Sequence, residues 1–156
     1  MGIKEDLDSL LITTRTAYML LLGFSLILVL SGFLIYLYGD PLVMLALSLV
    51  TSSFLPFSIA RGIRKEMSQF WQDPVDAQVA ATANTQMIQK LAFTKYIELL
   101  IFLIGLILLL LYITLNIDLR FVGIPICITA GLTYLISLSF DFKLSIIDHR
   151  LNNHLQ

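Results

Sequence analysis

Ionisable side chains inside apolar sequence are the first candidates for chemistry in this chain. Glu98 is the only one within the four long apolar runs, and it follows Lys95 by three residues. A carboxylate inside a membrane helix is costly and often serves as a proton or cation site. At a membrane boundary it can instead form a structural ion pair, with Lys95 one turn earlier or with Arg61 or Arg64 from another segment. The sequence leaves both roles open and favours the structural ion pair.

The other reactive side chains indicate no catalytic, cofactor or metal site. Cys127 is the single cysteine and lies within an apolar run, where a thiol acts as a small packing residue. His149 and His154 are five residues apart, whereas helical metal pairs are usually four apart. The sequence has no glycine-rich phosphate loop, nucleophile elbow or HExxH motif. We therefore expect a protein that is not an enzyme.

Four apolar runs must position these side chains. They cover residues 17–38, 42–60, 96–115 and 121–140, each close to the ~20 residues that a helix needs to cross a bilayer. Only 13% of the 156 residues are charged, against about 25% in soluble domains. The sequence predicts an all-α integral membrane protein, a single domain of four transmembrane helices.

The basic residues divide unevenly between the two sides of this arrangement. Nine of the ten Lys and Arg residues fall in the N-terminal segment, in residues 61–95 and in the tail, which an even number of crossings places together. Arg120 alone lies on the other side, with Asp40 and Asp118, in the short connections 38–41 and 116–120. The positive-inside rule therefore predicts that both termini are cytoplasmic. The compact connections fit a bacterial inner membrane and leave an organelle membrane open as the alternative. The net charge of −1 gives no indication of nucleic-acid binding.

The basic side has helical periodicity of its own, which predicts cytoplasmic helical extensions. Residues 61–95 form either a helical hairpin, which we favour, or an interfacial insertion with Phe70 and Trp71 in the headgroup layer. Asp73 is expected to cap a helix that starts at Pro74, and residues 141–156 form an amphipathic C-terminal helix. Apolar stripes at helical spacing support these predictions: Ile3, Leu7, Leu10 and Leu11; Ile63, Met67, Phe70 and Trp71; Val75, Val79, Ala83, Met87, Ile88 and Leu91; Phe140, Leu144, Ile147, Leu151 and Leu155.

Small residues predict where the membrane helices approach one another. Helices in lipid associate through small side chains that admit close backbone contact, and residues 99–111 are nearly all Leu and Ile. We therefore expect the third crossing to be the most exposed to lipid, and we expect Pro56 to kink the second. The candidate packing residues are Gly32, Gly39, Ser48, Ser52, Gly123, Cys127 and Gly131.

Two functions remain open at this stage. The favoured one is a non-enzymatic accessory, scaffolding or assembly subunit that binds other membrane proteins or further copies of itself within the lipid bilayer. The alternative is a homo-oligomeric ion channel or small transporter, with Glu98 near the cytoplasmic mouth.

Overall fold

The described residues of the chain form five α-helices. In this computed structural model residues 2–116 and 118–156 are described, so Met1 and Ile117, the latter in the predicted 116–120 connection, lie outside the described residues. The helices are α1 (Ile3–Tyr36), α2 (Val43–Ser52), α3 (Phe54–Gln72), α4 (Ala77–Leu115) and α5 (Arg120–Leu155). Only Ser53 separates α2 from α3, and together they form one apolar segment. Four segments are thus long and apolar enough to cross a membrane, which confirms the all-α class and the predicted number of membrane-length helices.

Successive long segments run antiparallel and pack side by side. Ser25 of α1 lies opposite Ser53, whereas Thr14, earlier in α1, lies opposite Trp71 at the far end of α3. Between α4 and α5 the same opposite order holds, since Glu98 contacts Ser137 and Lys95 contacts Asp141. The α4–α5 pair has the most extensive packing of any two helices.

The two ends of this arrangement differ. At one end lie the chain termini, the α3–α4 connection and nine of the ten Lys and Arg residues; we call this the basic end. The helices continue into the basic end without a break and enclose a core that includes Leu10, Met67, Phe70, Met87 and Leu151. At the opposite end are the short connections after Tyr36 and after Leu115.

The break at Ser53 changes the neighbours of the second segment. Pro56 has no N–H to donate to the carbonyl of Ser52, so the helical hydrogen-bond ladder is interrupted here. The Ser53 carbonyl accepts a hydrogen bond from Ser25 Oγ at 3.0 Å, which ties the break to α1. Before the break α2 packs on α1 and α5, and after it α3 packs chiefly on α1 and α4. The kink expected from Pro56 is therefore a helix interruption that lies three residues before the proline.

The start of α4 differs from the sequence expectation. Asp76, and not Asp73, is the N-cap: its Oδ1 accepts hydrogen bonds from the N–H groups of Gln78 and Val79 at 2.9 and 3.2 Å. Asp73 instead ends α3, and its N–H donates to the Gln69 carbonyl. The predicted start at Pro74 is thus wrong, because a side chain that bonds two free N–H groups is a stronger helix start than a proline alone.

The apolar part of α4 is the most exposed of the four. Of the most apolar 18-residue stretch of α4, only 11% is buried inside the bundle. The corresponding share is 33% for the α2–α3 segment and for α5. This agrees with the expectation for the Leu- and Ile-rich third crossing.

Candidate functional site

Glu98 of α4 is completely buried in the bundle. Its carboxylate has 0% exposure, and Oε1 accepts a hydrogen bond from Ser137 Oγ of α5 at 2.8 Å. Oε2 has no hydrogen-bond partner within the described residues. A buried carboxylate is normally paired or fully hydrogen-bonded, whereas Glu98 has one hydrogen bond and no ion pair within the described residues.

The ion pairs expected for Glu98 do not form. Lys95 pairs with Asp141 of α5, and Arg61 and Arg64 line a groove on the outside of the bundle. The antiparallel packing of α4 and α5 explains this arrangement. Lys95 lies one turn before Glu98 on α4, and Asp141 lies one turn after Ser137 on α5. Lys95 therefore lies opposite Asp141, as Glu98 lies opposite Ser137. The described residues thus show no close ion pair of Glu98 with Lys95, Arg61 or Arg64, and the structural role that the sequence favoured for Glu98 stays a prediction.

A stripe of hydroxyl groups on α5 continues from the Glu98 contact toward the opposite end. Thr129, Thr133 and Ser137 are spaced four residues apart, and all three are buried. They span about 12 Å along the helix axis at 1.5 Å per residue. Thr133 Oγ1 donates to the Thr129 carbonyl at 2.7 Å, whereas Thr129 Oγ1 has no partner in the described part of the chain. This stripe was missed in the sequence, where its signal is the i, i+4, i+8 spacing of hydroxyl residues.

The stripe leads into a cavity of about 380 Å³ beside the Ser53 break, which is open to the outside of the bundle next to the exposed Phe54. Here the change of neighbours from α5 to α4 leaves space between the helices. Ser52 and Thr129 both line this cavity, and their hydroxyl oxygens are buried without a hydrogen-bond partner among residues 2–116 and 118–156. Ile101 also lines it, one turn of α4 beyond Glu98. The cavity, the hydroxyl stripe and the Glu98 carboxylate form the candidate site.

The oxygen-only chemistry of the site suits a small cation or a proton. Carboxylate and hydroxyl oxygens are hard ligands, which prefer hard cations to the transition metals that histidine and cysteine bind. No group of three or more His, Cys, Asp or Glu side chains that could hold a metal ion occurs in the described part of the chain. A single carboxylate among neutral hydroxyls provides one negative charge, which one monovalent cation would balance.

Most of the small residues predicted at packing positions lie at helix contacts. A Cβ added to Gly32 would lie 2.8 Å from the carbonyl oxygen of Ala46 in α2, and one added to Gly123 would lie 3.1 Å from that of Gly105 in α4. Ser48 Oγ donates to the Val122 carbonyl at 3.2 Å. The further contacts are Cys127 Sγ, 3.8 Å from the Phe102 carbonyl, and Gly131, beside the Phe102 ring.

Two glycines depart from that prediction. Gly39 has a φ of +74° and nothing within 4 Å of an added Cβ, so its role is the turn after α1 and not helix packing. Gly105 was not among the candidates, yet an added Cβ there would lie 2.7 Å from Cys127 Sγ and 3.0 Å from the Cys127 backbone nitrogen. The small face of α5 thus packs on the glycine of the Leu-rich helix.

The two aromatic residues predicted for the headgroup layer belong to the bundle. Phe70 has 0% exposure in the core of the basic end. Trp71 Nε1 donates to Thr14 Oγ1 at 3.0 Å, and its ring meets that of Tyr18 edge-on at 5.6 Å. The interfacial role is therefore a correction for Phe70: α3 continues straight through this segment and turns that side chain inward against α1 and α4.

Polar contacts that the sequence did not predict join the first and last helices. Asp6 is buried, with its carboxylate oxygens 3.6 Å from Arg150 Nη1 and 3.3 Å from His154 Nε2. His154 is exposed and contacts α1 through Asp6. No protein-family model, curated protein or solved structure matches this chain.

Proposed function

We propose that the chain is an integral protein of a bacterial inner membrane, with both termini in the cytoplasm, that binds a proton or a small monovalent cation at Glu98. It would act as a homo-oligomeric channel or small transporter, without catalytic activity. The observation that carries the proposal is the Glu98 carboxylate, enclosed in the bundle with one hydrogen bond and one oxygen atom that has no partner in the described chain.

The surroundings of Glu98 support a binding role over a structural one. A buried acceptor without a partner costs about 1–3 kcal/mol, and the nearest base, Lys95, pairs with Asp141 instead. A cation or proton at Oε2 would neutralise the charge and satisfy that oxygen. The buried hydroxyls of Thr129 and Thr133 provide further oxygen ligands along the way from the cavity.

The shape of the interior supports an oligomer. On the basic side of Ser137 the bundle leaves a void of only about 10 Å³, lined by apolar side chains such as Leu91 and Phe140. That is about the space of a single water molecule, too little for a water-filled path through this part of the bundle. The exposed apolar face of α4 offers a surface on which further copies of the chain can pack and complete a path for ions.

Flux through the purified protein alone tests this proposal. We expect proteoliposomes that contain the wild-type chain to carry a proton or Na⁺ or K⁺ flux driven by an imposed gradient, and Glu98→Gln to lose it. Glu5→Gln is the matched control, since it makes the same change at an exposed position of α1. Wild-type liposomes without flux, or equal flux through Glu98→Gln at equal protein incorporation, would rule the proposal out.

A second function, an accessory or assembly subunit of other membrane proteins, is favoured by a separate feature. An apolar groove of about 580 Å³ runs along the α4–α5 pair and is lined by Phe102, Cys127 and Gly131 among others. Small residues in such a groove admit close approach of another membrane helix. This function predicts that the protein is silent in liposomes and co-purifies with a stoichiometric partner from native membranes. Extraction as a lone monomer would count against both functions.

A further inference from the structure

A groove between α1 and α3 combines apolar and cationic side chains. It has a volume of about 250 Å³ and is lined by Tyr18, Leu22, Phe57, Arg61 and Arg64. Tyr18 and Leu22 lie one turn apart on α1, and the other three follow one another at helical spacing on α3. The groove therefore runs along both helices. It shares no lining residue with the cavity of the candidate site.

The antiparallel packing of α1 and α3 places the two kinds of side chain at different ends of the groove. Leu22 and Phe57 lie nearer the Ser53 break, which is bound to Ser25. The two arginines lie further along α3, toward the basic end. Phe57 belongs to the apolar run 42–60, and Arg61 is the first residue after it. The groove thus passes from predicted hydrocarbon to predicted headgroup depth.

The two guanidinium groups have no acidic partner among the described residues. Glu66, two residues after Arg64 on the same helix, pairs with Lys90 of α4 instead. Arg61 and Arg64 are exposed and one turn apart, so their planar donor groups are available together. Arginine is suited to bidentate hydrogen bonds with phosphate.

We infer that this groove binds the headgroup and upper acyl chain of an anionic phospholipid. Arg61 and Arg64 hold the phosphate, and Leu22 and Phe57 contact the chain as it enters the hydrocarbon layer. Basic pockets between membrane helices on the cytoplasmic side are known to bind anionic headgroups. A free phosphate would leave the apolar half empty, and an acidic peptide would have to enter the hydrocarbon region to fill it.

Lipid retention by the purified full chain tests the inference. The protein is taken from nanodiscs that contain equal amounts of phosphatidylglycerol and phosphatidylcholine, and bound lipid is counted by native mass spectrometry. We expect phosphatidylglycerol to bind at least about tenfold more tightly, because both lipids have the phosphate but only phosphatidylcholine also has an ammonium group, which the two arginines repel. Arg61→Gln combined with Arg64→Gln should remove the preference. Lys65→Gln, which deletes a neighbouring exposed charge outside the groove, should keep it.

Further measurements separate this site from general electrostatics. Inorganic phosphate and glycerophosphoglycerol, at the same concentration as the lipid, should not displace phosphatidylglycerol, because neither has an acyl chain. Displacement by either would overturn the assignment of the apolar half. Equal binding of the two lipids, or an equal loss in Lys65→Gln, would overturn the site as a whole. These outcomes are independent of ion flux and of Glu98, and thermal unfolding in phosphatidylcholine alone verifies that the arginine variants are folded.

Discussion

At the scale of single residues, Glu98 is a carboxylate buried with a single hydrogen bond. Moving a carboxylate out of water costs free energy, and only close hydrogen-bond or ionic partners offset that cost. Ser137 provides one hydrogen bond at 2.8 Å, and the second oxygen has none within the described chain. The position of this group therefore depends on one serine.

Removal of that serine gives the first prediction. We expect Ser137→Ala to lower the free energy of unfolding by about 1–3 kcal/mol, since the remaining buried acceptor loses its only donor. Reversible unfolding in mixed detergent and sodium dodecyl sulfate micelles measures this. Ser139→Ala is the control, because the Ser139 hydroxyl is exposed and donates to the Leu135 carbonyl of its own helix. Equal effects of the two substitutions would contradict the role given to Ser137.

The sequence identified Glu98 as the residue of interest but not its partner. Its isolation in apolar sequence is visible by inspection, whereas the choice between Lys95, Arg61, Arg64 and Ser137 depends on how α4 and α5 are aligned. That alignment follows from close packing of Gly105 on Cys127, a long-range contact that periodicity within one helix does not report. The same holds for Asp6, whose partners lie at the other end of the chain.

At the scale of helices, the close contact between α4 and α5 depends on a missing side chain. Gly105→Ala would bring a methyl group to 2.7 Å from Cys127 Sγ and 3.0 Å from its backbone nitrogen. Backbone cannot move aside as a flexible side chain can, so we expect the variant to be destabilised by about 1–3 kcal/mol, as for other overpacked contacts. The same unfolding measurement applies.

Gly23→Ala is the matched control for that substitution. An added Cβ at Gly23 has no atom within 4 Å, so only helix propensity changes, and alanine is favoured by about 0.5–1 kcal/mol. The two substitutions should therefore have opposite signs. A stabilising effect of Gly105→Ala would mean that the helices are further apart than described here.

The helix extensions at the basic end give a third prediction, which tests the burial of Phe70 between the helices. Phe70 has 0% exposure and Phe93 has 67%. We expect Phe70→Ala to destabilise the protein by about 3–5 kcal/mol through loss of core packing, with Phe93→Ala within about 0.5 kcal/mol of wild type. If Phe70 instead lay in the headgroup layer, the two substitutions would cost similar amounts.

Element boundaries divide into those that sequence patterns predict and those that they do not. Apolar length located the four membrane-length segments, and the stripes located the helical extensions, because both depend on local periodicity. The break at Ser53 was displaced from Pro56, since a proline frees a carbonyl four residues earlier and the chain adjusts there. The sequence offers two aspartates, Asp73 and Asp76, as N-cap residues of α4. The geometry of the loop, which local periodicity does not report, places Asp76 at the cap.

At the scale of the whole molecule, polarity is concentrated at one end. The basic end has nine of the ten Lys and Arg residues and its own buried core, whereas the opposite end consists of two short connections. The proposed orientation would bring water-soluble partners to the basic end, and lipid or membrane partners to the exposed apolar faces of the helices.

The sidedness proposed for this arrangement gives the last prediction. In a Cys127→Ala background, which removes the chain's single cysteine, Ser9→Cys and Asp40→Cys each introduce one exposed thiol, at the basic end and at the opposite end. The positive-inside rule requires the basic end to remain in the cytoplasm. A membrane-impermeant maleimide should therefore label Asp40→Cys in intact cells and label Ser9→Cys only after the cells are permeabilised. Labelling of Ser9→Cys in intact cells would reverse the orientation, and with it the side from which ions reach Glu98 and the leaflet that supplies the proposed lipid.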